Sequence, residues 1–513
     1  MIDPSSTLDT DSTAQDAGQQ PEATILALMI AWSALEPHRA GEVALFEEEG
    51  GARILGRGAR DSGGRVIFWR QRPGVLDAMP PLAGHGISRE QLRIEVRDRA
   101  LHVERIGRCA LFHAGQRVDA CTLAPGDSVL LKGQLLLHCT RRPRRLPGLR
   151  DYPASEGFAF GDPDPHGMVG ESPAVWQLRD RLAWLAKTAA HVLVLGPSGT
   201  GKELAARALH SLSSRAARPF VARSAATIPA TLIEAEMFGN SKGYPNPGMP
   251  ERPGLVGAAH GGTLFLDEIG ELPIPMQASL LRVLDSGGEY HRLGAASAQR
   301  ADIRFIGATN RDPGELKHDL AVRLSLRLVL PSLDERRDDI PLLVRHLVRR
   351  AAATSPASVA RFLAPAGSGP GEPRLRPELI EALLARRYTT HLRELEALLW
   401  QCMAESRDDI IAWAGDGAQT AGRASTPGEA SQERAPAATP GATPDSGATS
   451  EPRELSADRI RACIQASGGN VSRAARALGL SSRFALYRLM MKHGIDAGDE
   501  RDPPSDDPAG AKR

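Results

Sequence analysis

A glycine-rich octapeptide near the middle of the chain follows a short apolar run, 192–195, and precedes a segment with helical periodicity, 204–210. Its residues are Gly196, Pro197, Ser198, Gly199, Thr200, Gly201, Lys202 and Glu203. Strand, glycine-rich turn and helix in this order predict a phosphate-binding loop, because the glycines let successive backbone N–H groups point at phosphate oxygens. The helix N-terminus adds positive potential, and we expect Lys202 to reach the β- and γ-phosphates. The structural alternative is a glycine-rich turn that happens to contain a lysine.

A pair of acidic residues supplies the second half of the predicted site. Ser or Thr usually follows the motif lysine and binds magnesium, but this chain has Glu203 there, so a carboxylate elsewhere must hold the metal. Asp267 and Glu268 follow an apolar run, 263–266, that is typical of a buried strand. We therefore expect Asp267 to hold Mg²⁺ and Glu268 to orient or deprotonate the attacking water in ATP hydrolysis. The alternative for such a pair is a solvated strand end.

Length and charge limit the function classes. The 513 residues are enough for three or four domains. The formal charge of +1 excludes polyanion binding by bulk electrostatics, so any nucleic-acid contact must come from a local patch. The cysteines lack paired metal spacing and favour a reducing compartment; they are Cys109, Cys121, Cys139, Cys402 and Cys463. The polar N-terminus and the absence of a long apolar run predict a cytoplasmic protein without a membrane partner.

Short runs of β-type residues separated by Gly, Pro and Asp turns fill residues 22–140. The predicted strands are 25–32, 42–46, 53–55, 92–96, 101–105, 129–131 and 134–139. Many short strands with regular turn signals are typical of an all-β sandwich.

Four motifs in this sandwich, at 56–57, 87–92, 115–118 and 125–127, resemble the forkhead-associated domain, which binds phosphothreonine. The resemblance implies that Arg57 and Ser88 contact phosphate, by a charge-assisted pair and a hydroxyl hydrogen bond. The chain departs from it at Gln91, where the family has histidine, and at Cys109, near an expected asparagine. A phosphothreonine protein is thus one predicted partner, and a fold retained without phosphopeptide binding is the alternative.

Composition also predicts where the chain is not folded. Residues 1–21 and 496–513 are polar and predicted to be disordered, and 414–453 is rich in Ala, Pro, Gly, Thr and Ser, typical of a flexible linker. Residues 141–166 are Pro-rich and predict a second linker. The run 141–145 within it is interpreted most simply as solvated charge, with a DNA-contacting arm as the alternative.

Residues 167–413 contain a further series of motifs around the glycine-rich loop. They are 168–172, the loop itself, 234–239, the strand that ends at Asp267, 308–311 and 331–340. This order resembles the AAA+ ATPase domain of bacterial enhancer-binding proteins, the activators of sigma-54 RNA polymerase. The resemblance implies a parallel-sheet α/β core at 167–333, a helical lid at 334–413 and a homo-oligomeric ring, usually a hexamer, that uses ATP and Mg²⁺.

The resemblance also assigns roles to single residues. Asn310 resembles the sensor of the γ-phosphate, and Arg393 resembles the lid arginine that senses nucleotide. Arg323 resembles an arginine finger that acts on a neighbouring subunit. The second finger position holds Lys317, which keeps the charge but loses the planar fork. Ser224 stands where the family commonly has an asparagine that couples the glutamate, here Glu268, to nucleotide state.

The loop that contacts sigma-54 in this family is altered. The family has Gly-Ala-Phe-Thr-Gly-Ala, whereas residues 243–248 read Gly-Tyr-Pro-Asn-Pro-Gly. Pro245 replaces the aromatic residue and Asn246 the threonine, and two prolines stiffen the tip because they fix φ. These changes argue against engagement of sigma-54 by the usual contact, and Tyr244, one position early, is the alternative source of the aromatic ring.

Residues 454–495 predict an all-α helix-turn-helix that resembles the Fis-type domain at the end of enhancer-binding proteins. The small residues Ala474 and Ala475 allow two helices to cross closely, and Gly479 permits the turn between them. We expect Arg483 to contact a base and Arg488 and Lys492 to contact phosphates, with Tyr487 on the same helix. The alternative is a small helical bundle with solvated arginines.

The sequence thus predicts a multidomain transcription regulator: a forkhead-associated sensor, an AAA+ ATPase with its lid, and a helix-turn-helix that binds DNA at an upstream activating sequence. In the first hypothesis, ATP hydrolysis remodels sigma-54 RNA polymerase. In the second, the chain binds DNA and binds or hydrolyses ATP without remodelling sigma-54, because the contacting loop is altered. A phosphopeptide-binding scaffold is a third possibility.

Overall fold

The computed structural model describes residues 24–58, 64–153, 157–285, 287–364 and 371–414, together with Leu478. The chain divides into two units, residues 1–421 and residues 422–513. The described part of the first unit contains an N-terminal sandwich (24–143), an α/β core (157–333) and a helical lid (334–414). The predicted helix-turn-helix, the predicted linker beyond residue 414 and both predicted disordered ends lie outside the described residues, apart from Leu478.

The N-terminal sandwich consists of an eight-stranded and a four-stranded sheet, in the strand orders β5-β4-β2-β1-β12-β11-β8-β9 and β10-β7-β6-β3. Its strands are β1 Thr24–Ser33, β2 Val43–Phe46, β3 Arg53–Leu55, β4 Trp69–Arg72, β5 Val75–Ala78, β6 Leu92–Arg97, β7 Ala100–Arg105, β8 Leu111–His113, β9 Gln116–Val118, β10 Ala120–Leu123, β11 Ser128–Leu131 and β12 Leu135–Pro143. All the strand pairs within the two sheets are antiparallel. The seven predicted strands are confirmed, and a mostly antiparallel β structure is the architecture expected of a sandwich.

The large sheet of the sandwich is buried on both faces in its centre. Leu28 and Ile30 of β1 belong to the core between the two sheets. The intervening Met29 and the next outward residue, Ala31, instead join an apolar cluster with the lid. Because successive side chains of a strand point to opposite faces, one strand contributes to two cores. The sandwich is therefore packed onto the lid rather than tethered beside it.

The α/β core holds a five-stranded parallel sheet in the order β14-β15-β18-β13-β19. Its strands are β13 Val192–Leu195, β14 Phe220–Ser224, β15 Thr263–Asp267, β18 Arg304–Thr309 and β19 Leu326–Val329, and a separate hairpin consists of β16 Glu289–Tyr290 and β17 Gln299–Arg300. Its helices are α1 Pro173–Lys187, α2 Lys202–Ser211, α3 Ile233–Phe238, α4 Gly254–Ala258, α5 Ile274–Leu284 and α6 His318–Arg323. The predicted P-loop α/β architecture is confirmed.

The lid follows β19, and helices are its main regular elements. Its helices are α7 Ile340–Thr354, α8 Pro356–Val359, α9 Pro377–Ala385 and α10 His391–Glu405. Buried apolar residues of α7, α9 and α10 form one cluster, to which the sandwich adds β1, β2, β11 and β12. Among the described residues, no helix has the length and apolarity needed to cross a membrane.

The range 141–166 differs from the linker that its composition predicts. Strand β12 extends to Pro143, and Tyr152 is buried at 5% exposure. Asp164 makes a fully buried ion pair with Arg179 of α1 at 2.8 Å. The solvated interpretation of the arginine run is wrong for Arg142, which is 1% exposed. Specific ion pairs and packing, which composition does not reveal, fix this segment against the core.

Two neighbouring leucines of β12 test the double-faced packing. Leu137 lies in the sandwich core and Leu136 in the cluster shared with the lid, and both are fully buried. We expect Leu136→Ala and Leu137→Ala each to lower the free energy of unfolding of the full chain by about 2–5 kcal/mol, measured by urea titration. A sandwich that moved freely would leave Leu136 on a solvated face. In that case Leu136→Ala would change stability by less than about 0.5 kcal/mol, the usual range for surface substitutions.

Candidate nucleotide site

Parallel strands bring the predicted site residues to one edge of the core sheet. Leu195, which precedes the glycine-rich loop, pairs with Thr309, so Asn310 comes level with the start of the loop. On the other side, Ser224 at the end of β14 pairs with Asp267 at the end of β15. The carboxyl ends of adjacent parallel strands are where open α/β sheets bind ligands. The topology therefore places the loop, the acidic pair, Ser224 and Asn310 along one edge.

The glycine-rich loop has the backbone conformation that its glycines allow. Gly199 and Gly201 adopt φ of +80° and +98°, and α2 begins at the next residue, Lys202. Lys202 is 8% exposed, and its ammonium donates to the carbonyls of Gly196 and Pro197 at 3.0 and 3.1 Å. Burial lowers the pKa of Lys202, and the nearby charges of Asp267 and Glu268 oppose this effect. The geometry matches a loop that wraps phosphate oxygens in front of a helix N-terminus.

The acidic pair lies close enough to this lysine for their charges to interact. Burial raises the pKa of Asp267, whereas the charge of Lys202 lowers it. Glu268 has a left-handed backbone with φ of +55°, and its N–H donates to Asp267 Oδ1 at 2.9 Å. The Ser224 hydroxyl donates to Glu268 Oε2 at 2.9 Å. A serine thus makes the contact to the glutamate at the position where an asparagine is common in the similar family.

The donor set fits a magnesium ion held partly by a nucleotide. Among the described residues, no group of three or more His, Cys, Asp or Glu side chains is arranged to hold a metal by itself. Mg²⁺ in nucleotide sites typically uses one or two carboxylates together with phosphate oxygens and water, and Asp267 offers such a carboxylate. Glu203 does not add a second one, because its carboxylate pairs with Arg207 at 2.7 Å on the surface of α2.

The lid reaches the glycine-rich loop through the start of α10. Arg393 Nη1 donates to the Ser198 hydroxyl at 3.1 Å, and the Leu392 N–H donates to the Gly199 carbonyl at 3.2 Å. A side chain at Gly199 would collide with the Thr390 carbonyl. Thr390 and Leu392 were not predicted as site residues. Their position just before Arg393 could have indicated this. When an arginine at the start of a lid helix reaches the loop, the backbone that precedes it lies against the loop as well.

The two residues at the predicted arginine-finger positions lie at the two ends of α6, beside α5. Arg323 Nη2 pairs with Asp285 at 2.8 Å and its Nε donates to the Leu284 carbonyl at 3.1 Å, with 40% of the side chain exposed. The Lys317 N–H donates to Gln277 of α5 at 2.8 Å, and its ammonium lies 3.7 Å from Asp319. The structure thus places both cations on the α5–α6 surface, in contact with residues other than the acidic pair.

The altered loop is closed by hydrogen bonds at its base. Asn240 is 5% exposed, and its side-chain amide donates to the carbonyls of Ser241, Tyr244 and Pro250. The Tyr244 side chain lies over Gly294, where any added Cβ would meet the ring. Pro245 and Asn246 form the exposed tip that follows. Tyr244 is 40% exposed, so part of its ring remains accessible while the rest packs on the neighbouring loop.

In the sandwich, the two residues predicted to bind phosphothreonine are adjacent. The Arg57 N–H donates to the Ser88 carbonyl at 3.1 Å, and the Ser88 hydroxyl accepts from the Arg108 N–H at 3.0 Å. Gln91 is fully buried and bonds the backbone N–H and carbonyl of Cys109. Arg57 Nε is buried and has no hydrogen-bond partner among the described residues. Phosphopeptide binding here stays a prediction.

The four residues predicted to contact DNA lie outside the described residues; they are Arg483, Tyr487, Arg488 and Lys492.

Comparison with known proteins covers both the core and the C-terminal segment. The family model described as "Sigma-54 interaction domain" matches residues 168–331, and that described as "Bacterial regulatory protein, Fis family" matches residues 451–492. The transcriptional regulatory protein GlrR of Escherichia coli (strain K12) is 33% identical over 339 residues, 65% of this chain and 69% of that protein. The transcriptional regulatory protein ZraR of Salmonella typhimurium is 35% identical over 330 residues, 63% and 68% of the two chains. The crystal structure of NtrX from Brucella abortus in complex with ADP is 28% identical, with a TM-score of 0.43, and covers 65% of this chain and 70% of that chain.

Proposed function

The chain belongs to the family of sigma-54-dependent transcriptional regulators, with an AAA+ activator domain and a Fis-type helix-turn-helix, and from this premise we propose that it hydrolyses ATP to remodel sigma-54 RNA polymerase at promoters that it marks by binding DNA upstream. The observation that carries the proposal is the shared sheet edge, where the glycine-rich loop with Lys202 and the strand end with Asp267 and Glu268 lie close enough for their charges to interact. A lysine and two carboxylates suit phosphate binding, metal binding and water activation in one place.

The residues divide the work of hydrolysis between them. Backbone N–H groups of the loop 196–203 and the Lys202 ammonium bind the phosphates. Asp267 is the carboxylate that would hold Mg²⁺, which when bound neutralises charge on the phosphates. Glu268 orients the attacking water, and Ser224 restrains its carboxylate by the hydrogen bond to Oε2. Arg393, from the lid, lies at Ser198 and reports whether the phosphate sites are filled.

Arg323 acts on a second copy of the chain in this proposal. Its guanidinium contacts Asp285 at the end of α5. The same pair of helices exposes two apolar side chains, Ile274 at 56% and Val322 at 61%. Exposed apolar residues beside a partly exposed arginine support a contact between copies, in which a neighbour's arginine stabilises charge on the transferring phosphoryl group. A ring of copies, a hexamer in the similar family, follows from such a head-to-tail contact.

A second function is favoured by one observation, the altered loop. Asn240 closes its base, and Pro245 and Pro247 restrict its tip. A stiff tip without the usual aromatic residue favours a regulator that uses ATP for assembly on DNA without remodelling sigma-54. The two functions share the nucleotide site and differ only in what the 240–252 loop contacts.

Replacement of the water-activating carboxylate separates hydrolysis from binding. We expect Glu268→Gln to lower the rate of ATP hydrolysis by about 10²–10⁴-fold, the range for loss of a general base, while nucleotide still binds. Phosphate release measures hydrolysis, and binding of a fluorescent ADP measures nucleotide binding. Glu271→Gln is the matched control, since Glu271 lies in the same segment but pairs with Arg311 on the surface. Equal losses of hydrolysis in both variants would contradict the assignment of Glu268.

Open-complex formation decides between the two functions. We expect the full chain, with purified sigma-54 holoenzyme and a promoter carrying its own upstream site, to convert closed to open complexes while it hydrolyses ATP. Permanganate footprinting and phosphate release are followed in the same reaction, with an established activator as the positive control. Hydrolysis without open complexes would contradict the first function and support the second.

A further inference from the structure

The N-terminal sandwich contacts the protein on both sides of the segment that joins core and lid. Among the described residues, the chain passes from the core to the lid once, through 330–340. This segment contains a short helical turn, Asp334–Asp339, which is kinked at Arg336 with φ −129° and ψ 43°. A single irregular connection is where a lid can rotate against a core, because a few residues absorb the change of backbone angles. We name residues 334–339 the hinge.

One buried arginine of the sandwich bridges this hinge. Arg142 Nε donates to Asp338 Oδ2 of the hinge at 2.9 Å, and its Nη1 donates to the Glu171 carbonyl of the core at 2.9 Å. The side chain of Arg142 is 2% exposed and that of Asp338 is 12% exposed. The planar fork of a guanidinium fixes both partners in one geometry, which a flexible ammonium does not. Arg142 thus holds the core and the hinge at a set distance.

The other sandwich contacts fall into a core set and a lid set. On the core side, Arg72 pairs with Glu171 at 2.7 Å and lies over the ring of Trp176. On the lid side, Trp32 Nε1 donates to the Leu375 carbonyl at 2.9 Å, and the outer face of β1 packs in the apolar cluster of the lid helices. Rotation of the lid against the core must therefore break one of the two sets.

The lid position that these contacts fix is the one that closes over the glycine-rich loop. Arg393 contacts Ser198 and Leu392 contacts Gly199 in this position. A lid that lies on the phosphate-binding loop hinders the exit of anything bound there. Contacts that retain the lid lower the population of open states, and the release of nucleotide slows in proportion to that population.

We propose that the N-terminal sandwich is a brace that holds the lid over the nucleotide site, with Arg142 as the positioning residue of the hinge, and that it slows nucleotide release. The proposal rests on the nucleotide binding proposed above. It gives the sandwich a mechanical role that requires neither phosphothreonine nor a partner protein. Any ligand that loosens the sandwich would then accelerate nucleotide exchange.

The test is the dissociation rate of N-methylanthraniloyl-ADP from the full chain, measured by chasing with excess ADP in a stopped-flow fluorimeter. We expect Arg142→Met to raise this rate by about tenfold, which corresponds to about 1.4 kcal/mol. Arg142→Lys should raise the dissociation rate less than Arg142→Met does, since the lysine keeps a cation for Asp338. Arg144→Met is the matched control, because Arg144 comes from the same run but its side chain is 66% exposed and pairs with Glu47 on the surface.

Trp32→Phe is a second variant that keeps the test decisive should Arg142→Met fail to fold. It removes the hydrogen bond to the Leu375 carbonyl and replaces the indole, which packs on the lid cluster, by a smaller ring. We expect a smaller but measurable rise in the dissociation rate. Unchanged rates in Trp32→Phe and in every folded Arg142 variant, with nucleotide bound normally, would overturn the brace and leave the proposed ATPase intact. Failure of the unmodified chain to bind the labelled ADP would overturn both.

Discussion

The buried carboxylate of Asp339 ties the start of the core to the start of the lid. It accepts hydrogen bonds from the Glu171 N–H at 2.7 Å, the Ser172 N–H at 2.9 Å and the Ser172 hydroxyl at 2.6 Å. Burial raises the pKa of Asp339, and the positive charges of Arg336 and Arg142 and the bond from Ser172 oppose this effect. A buried carboxylate requires such partners, because an unpaired charge in an apolar environment costs several kcal/mol. This one group therefore fixes the start of the lid against the start of the core.

Glu171 of the core contacts both the hinge and the sandwich. Its N–H binds Asp339, its carbonyl accepts from Arg142, and its carboxylate pairs with Arg72 and accepts from Trp176 Nε1 at 3.0 Å. Every polar group of one residue is thus used to join the core, the hinge and the sandwich. A network in which all members are satisfied is rigid, and loss of one member leaves others buried and unpaired. This arrangement explains how a domain that is remote in sequence can act on the nucleotide site.

Much of the fold follows from local sequence. The glycine-rich loop and the strand before Asp267 carry short-range signals, and the structure has both within a few residues of the predicted bounds. The roles of Arg323 and Arg393 were predicted from resemblance to a family. Of these two residues, only Arg393 contacts the glycine-rich loop of its own copy, at Ser198. The geometry around Ser224 required the register between β14 and β15, which no local pattern specifies.

The packing of the sandwich on the lid was missed, although the sequence carries a signal for it. An antiparallel sheet with one solvated face alternates apolar and polar residues, whereas 25–32 and 135–137 are almost continuously apolar. Such runs indicate burial on both faces. The burial of Arg142 has no comparable signal, since a basic run beside prolines is usually solvated. Its partner Asp338 lies 196 positions further along the chain, so only the three-dimensional structure brings them together.

Hydrogen–deuterium exchange of the full chain, with and without ADP, tests most directly whether sandwich, hinge and nucleotide site act as one unit. We predict that ADP slows exchange at the N–H groups of Glu171 and Ser172, and that the same addition slows exchange in β1 and β12 of the sandwich. Protection that is confined to the glycine-rich loop and α10, with β1 and β12 unchanged, would contradict it. In that case the sandwich would pack on the lid without affecting how the nucleotide site retains nucleotide.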